Sequence, residues 1–266
     1  MEIVTLMEPE SFYKYLPIDP SQPIATQHAI SNLLNYRSVF STRAAFNDLF
    51  DSTINYILPS YSELKESHKK LKGRIKHEFK ESFLGNDWLE KQKTLRININ
   101  KELDKLIIYC VTTDPKNNLM WSHYANSHKG FCIEWDARHI KANKIVYQEE
   151  IAKIKAIDIL NAHYAITNNE DISEQLLRSM NVKLSEWEYE KEYRVNLSKD
   201  SQHLIREKIE NIRLVEFQPE WIKSIIFGYR TPQNAIDYIT ESLPSHINFK
   251  RIKIAEDKSS LSVVRL

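Results

Sequence analysis

Glycine is scarce: four occur in 266 residues. None stands in a GxGxxG or P-loop array, so glycine-rich phosphate cradles have nothing to be built from. Cysteine is scarcer still. Cys110 lies in LIIYCV and Cys132 in GFCIEW, two apolar, strand-like runs. Both read as buried, reduced thiols, and a chain so poor in cysteine points to a reducing compartment. Excess charge is missing as well. The net charge is +1, which neither draws the chain to nucleic acid nor repels it. No apolar run approaches the ~18 residues of a spanning helix, and MEIVTLMEPESF lacks the basic-then-apolar order of a secretory signal. A cytoplasmic protein without a membrane partner is expected.

Apolar residues make up 42% of the chain and charged residues 27%, the balance of an ordinary globular protein. The length suits one domain over 1–266 with a real core. Residues 1–20 read as extended, 26–34 as a short helix with Ile30, Leu33 and Leu34 on one face, and 36–42 as a strand. Residues 60–105 carry many charges and few apolar positions, the pattern of a solvated helical insertion packed on one side. The second half is strand-rich: 106–113, 130–136, 144–148, 189–197, 212–217, 222–228, 248–255 and 262–266. Helices are expected at 118–125, 157–184 and 232–242. Strict βαβ alternation is absent, so the fold class is α+β with a mixed or antiparallel central sheet.

Three segments gather polar and aromatic residues in apolar surroundings. In the first, Ser41 and Thr42 follow a strand and lead into Phe46, Asn47, Asp48 and Asp51. On a helical turn Asp48 and Asp51 share one face, which suits ligand positioning or metal binding; the same residue types also serve as helix caps. In the second, Trp121 and Tyr124 stand three apart and can form one aromatic platform for a planar ring, with His123 pointing elsewhere; an aromatic core cluster has the same spacing. In the third, WEYEKEYR read as a strand puts Glu188, Glu190 and Glu192 on one face. Crowded carboxylates raise one another's pKa and divide into acid and base roles, although charges also protect edge strands. His123, His128, Cys110 and Cys132 match no paired zinc template, so no metal site is assigned to them.

Taken in order, these segments resemble the bacterial domain-of-unknown-function family two-nine-seven-one, found in mobile and defence-associated gene neighbourhoods. Its FNDPFD corresponds to residues 46–51, its MWxHYAxxHxGF to 120–131, its WxYExEYR to 187–194, and its N-terminal tyrosine/lysine motif to Phe12, Tyr13, Lys14 and Tyr15. Leu49 replaces the family proline, and Leu16 stands where an arginine is common. A strand-borne Ser-Thr followed by Glu-x-Glu also resembles ADP-ribosyltransferases. That resemblance implies a transferase-like fold with NAD as substrate. Tyr13, Lys14 and Tyr15 would grip the ribose, Ser41 and Thr42 would support the nicotinamide pocket, and Phe46, Asn47, Asp48, Trp121, His123 and Tyr124 would add further NAD contacts. Glu192 would be the key carboxylate and Glu190 its helper. The implied protein is a toxin or phage-defence effector with a protein or nucleic-acid acceptor and an antitoxin or defence-system partner. Two alternatives stand beside it. One is a metal-dependent nuclease using Asp48, Asp51, Glu190, Glu192 and His123; the other is a sensor that binds a ligand without turnover.

Overall fold

The computed structural model describes residues 8–197, 201–257 and 259–266. Among them the chain forms fifteen strands and eight α-helices. In order these are β1 (Ser11–Leu16), α1 (His28–Leu34), β2 (Arg37–Ser41), β3 (Ile54–Ile57), α2 (Tyr61–Lys70), α3 (Gly73–Phe83), α4 (Trp88–Leu103), β4 (Ile108–Thr112), α5 (Asn118–Tyr124), β5 (Phe131–Asp136), β6 (Asn143–Lys144), β7 (Val146–Gln148), β8 (Ala152–Lys155), α6 (Ala156–His163), α7 (Asn169–Met180), β9 (Val182–Leu184), β10 (Glu192–Asn196), β11 (Ile205–Ile209), β12 (Ile212–Glu216), β13 (Ile222–Phe227), α8 (Gln233–Ser242), β14 (Asn248–Ile254) and β15 (Leu261–Arg265). No helix of the described residues is long and apolar enough to cross a membrane.

Where the sequence reads as one domain with a helical insertion, the structure divides into two compact units. The first combines Met1–Ser41, Ile107–Ile145 and Glu186–Leu266; the second combines Thr42–Leu106 and Val146–Ser185. The helices expected at 60–105 are α2, α3 and α4 of the second unit, joined there by 146–185. The expected helix at 157–184 is α6 and α7 followed by β9.

The first unit is built on one sheet of order β11-β12-β2-β4-β1-β5-β13-β14-β15, with β10 pairing β4 and β6. All pairings are antiparallel except β13 with β14, so the mixed sheet expected of an α+β fold is present. Every residue of β5 is buried, as its apolar run requires of a central strand. Period-two alternation sends Phe12, Tyr109, Ile133 and Trp135 to one face, where Ile30 and Leu33 of α1 and Ile236 and Ile239 of α8 cover them. Tyr15, Cys132 and Ile226 face the other way and pack against Met120 and Trp121 of α5. Each such burial is worth about 1.5–3 kcal/mol. Strand β4 has an unusual position. It pairs with β10 along its whole length, but with β1 only at Tyr13↔Thr112 and with β2 only at Ser41↔Ile108.

In the second unit, Ser60 and Glu63 close a capping box at the start of α2: Glu63 Oε2 accepts from the Ser60 amide at 2.8 Å. Leu64, Phe79, Phe83 and Leu160 of α2, α3 and α6 form its core. Two short parallel pairs, β3 with β8 and β7 with β9, complete it.

Candidate functional site

Helix α5 starts where the Asn117 side chain accepts from the amides of Leu119 and Met120, at 2.9 and 3.2 Å. It ends in three consecutive left-handed residues, Asn126, Ser127 and His128. Such residues cost about 1–2 kcal/mol each. The turn is held by Ser127 N to Ser122 O, His128 N to Trp121 O and Gly130 N to Ala125 O. Trp121 points inward and is wholly buried. Its indole donates to Pro115 O at 2.9 Å, the Tyr15 ring meets it edge-on at 4.9 Å, and His128 stacks on it at 6.2 Å. The stacking surface expected of Trp121 is therefore occupied by the protein's own rings. Tyr124 is half-buried and donates to Glu190 Oε1 at 2.6 Å. His123 is exposed, 6.5 Å from the Tyr189 ring.

The acidic segment departs from the expected strand. Ser185–Glu190 is a 3-10 turn, Lys191 has φ of 47°, and β10 begins only at Glu192. The positive φ breaks the alternation, so Glu188 is exposed while Glu190 and Glu192 are buried. Arg194 is completely buried and donates to Glu192 Oε1 at 2.7 Å. Glu192 and Tyr13 flank Thr112, the last residue of β4, from opposite sides. Their neighbours on β1 are engaged elsewhere: Lys14 Nζ donates to Cys110 O at 2.9 Å, and the Tyr15 hydroxyl to Asp114 O at 2.7 Å. Burial raises the pKa of both Tyr13 and Tyr15.

Beyond the end of β4 a cleft of about 470 Å³ opens, lined by Ser11, Tyr13, Thr113, Glu134, Tyr193 and Lys223 among others. Glu190 and Glu192 are not among its lining residues. Glu134 is the group that sequence reasoning missed. It lies in register with Tyr13, is buried, and accepts from Ser11 Oγ at 3.1 Å, the Tyr13 hydroxyl at 3.3 Å, Lys250 Nζ at 2.6 Å and Ser224 Oγ. Burial pushes its pKa up, but the hydrogen bonds from Lys250 and Ser224 and the Lys250 charge outweigh it, so the net shift is downward and the carboxylate stays ionised. A lone acid inside the apolar run FCIEW was the available signal.

Residues 120–195 match the family model described as "Protein of unknown function (DUF2971)". This stretch is similar to the DUF2971 family. No curated protein and no solved structure matches the chain.

The DUF2971 match runs from Met120 in α5 to Val195 in β10, and so includes Tyr124, Glu134, Glu190 and Glu192. Other residues expected at the site lie outside it. Ser41 is half-buried in β2 and pairs with Ile108, four residues along β4 from Thr112, or about 13 Å at the usual strand rise. Thr42, Phe46, Asn47 and Asp48 belong to the second unit, where Thr42 is buried, Phe46 and Asp48 are half-buried and Asn47 is exposed. Asp48 and Asp51 do not share a helical face: residues 49–52 form a turn. Asp48 Oδ1 accepts from the Phe50 amide at 2.9 Å, while Asp51 faces Lys183 at 3.5 Å and accepts from Ser52 Oγ at 2.8 Å. Among the described residues no group of three or more His, Cys, Asp or Glu side chains could hold a metal ion, so the nuclease alternative gains no ligand set.

Proposed function

We propose that the protein is an ADP-ribosyltransferase-like effector that uses NAD as donor and modifies a protein or nucleic-acid acceptor in a toxin or phage-defence setting. One observation carries this reading: Tyr13 of β1 and the buried Glu192 of β10 stand on either side of Thr112 at the end of β4, and Tyr13 lines the cleft of about 470 Å³ that opens there. A first-strand tyrosine and a Glu-x-Glu are two of the elements that the ADP-ribosyltransferase resemblance calls for; Glu190 ends a turn and Glu192 starts β10. Breaking the nicotinamide–ribose bond leaves cationic character on the ribose, and a preorganised carboxylate in a water-poor site stabilises it. Glu192, fixed by Arg194, fits that part. Glu190, oriented by the Tyr124 hydroxyl, fits the helper that takes the acceptor's proton.

The test is nicotinamide release from NAD by the full chain, with and without cell lysate, beside calorimetric NAD binding. Wild type is expected to bind NAD and release nicotinamide. Glu192→Gln is expected to retain its circular dichroism spectrum and lose release. Release unchanged in folded Glu192→Gln would remove Glu192 from the chemistry. Binding without release in wild type would favour the sensor, and neither binding nor release would end the NAD reading.

A further inference from the structure

The first unit carries a second cavity, of about 400 Å³, on the sheet face opposite Tyr13 and Glu134. That volume lies within the range of small-molecule sites. Its walls include Phe40, Tyr109, Trp135, Phe217 and Trp221. These rings are braced against one another: Phe40 stacks on Tyr109 at 4.9 Å, and Trp135 meets Phe217 edge-on at 4.8 Å. The Trp135 indole donates to the Tyr109 hydroxyl at 3.2 Å, so both polar groups of this aromatic pair have a partner. The aromatic walls are thus braced by ring contacts within the fold.

Charge enters at the turn that follows β5. Arg138, His139 and Lys141 all border the cavity. Asp136 holds the Arg138 guanidinium in place, and His139 lies flat on Trp221 at 5.8 Å and 8°. Lys141 is exposed and makes no ion pair among the described residues. Among the described lining residues the one carboxylate, Glu216, is held by Arg206. An aromatic slot with an unmatched cation at its mouth selects a flat apolar body carrying one negative group.

We propose that this cavity is a binding site for a planar aromatic anion, separate from the Tyr13–Glu192 site and independent of the reading of that site. The probe is anilinonaphthalene sulfonate, titrated into the full chain and read by energy transfer from tryptophan. Expected is saturable binding at one site per chain, a rise in melting temperature with probe concentration, at least tenfold weaker binding in Lys141→Glu, and loss of binding in Leu204→Trp, which fills the cavity from its rim. Both variants are expected to melt as wild type without probe. Absence of saturable binding, several equivalent sites, or equal affinity in Lys141→Glu and Leu204→Trp would overturn the proposal. An unaltered nicotinamide-release result beside any of these outcomes keeps the two sites' tests distinct.

Discussion

The ammonium of Lys14 occupies a hydrogen-bonding position that a neighbouring strand would otherwise fill: it donates to the carbonyl of Cys110 at 2.9 Å and lies 4.9 Å from the centre of the Tyr109 ring. Because β1 and β4 pair only at Tyr13↔Thr112, β1 brings no ladder partner to Cys110. Lys14→Met keeps the side-chain stem and leaves the carbonyl without its donor, which should cost about 1–3 kcal/mol. Lys14→Arg should recover part of it. The urea midpoint reads this directly, and a wild-type midpoint in Lys14→Met would refute the role.

Glu134 makes stability depend on acid. Its folded-state pKa is depressed below the ordinary value of about 4.3. The stabilisation is therefore fully present above that value and lost as pH falls through the folded-state pKa. Glu134→Gln should lower stability near neutral pH by about 1.5–3 kcal/mol, the range for hydrogen bonds to charged groups. It should also flatten the acid limb. Denaturation midpoints taken between about pH 3 and pH 7 test both; an acid limb as steep as wild type would assign the dependence to another group.

His128 adds a second acid-sensitive contribution. Burial and the Arg230 charge lower its pKa, and its Nδ1 is buried with no hydrogen-bond partner. The unfolded chain takes up the proton first, near its ordinary value of about 6.5. Stability from this residue is present above that pH and declines as pH drops toward the folded-state value. His128→Phe keeps a ring against Trp121 and should remove the slope just below about pH 6.5. Melting temperature against pH is the readout, and a persistent slope would contradict it.

Two glycines mark close backbone approaches. A Cβ on Gly130 would stand 2.0 Å from Leu16 O, and one on Gly228 would stand 2.3 Å from His128 O. Gly130→Ala and Gly228→Ala should each exceed the usual ~0.5–3 kcal/mol of a point substitution and yield little folded protein. Gly73 has φ of 57° but open space around it, so Gly73→Ala should cost only about 1–2 kcal/mol. Equal soluble yields and melting points across the three variants would argue against the approaches.

Much of the first unit's sheet was legible in the sequence. Strands β1, β2, β4, β5 and β12 to β15 follow from apolar runs or alternation, and α1, α5 and α8 from spacing. The short strands β3 and β8 were not legible, because each is stabilised by the other across nearly a hundred residues of chain. WEYEKEYR misled because a left-handed lysine cannot be read from an alternating string. The spacing of Trp121 and Tyr124 gave a common face but not whether it was turned inward. Glu134 escaped because its donors Ser11, Ser224 and Lys250 come from strands 90 to 123 residues away.

The first unit draws on three separate stretches of chain, and its central ladder joins β1 to β5 with Tyr13 opposite Glu134. On a ribosome β1 emerges before β5 and must wait for more than a hundred further residues before that partner exists; β13, on the far side of β5, comes later still. Pairings this distant in sequence are slow to form. A nascent chain halted before β13 would leave one edge of β5, whose residues are all buried in the fold, unpaired, which is the condition under which unfinished chains aggregate. The order of synthesis therefore places the period of greatest risk between the emergence of β5 and that of β13.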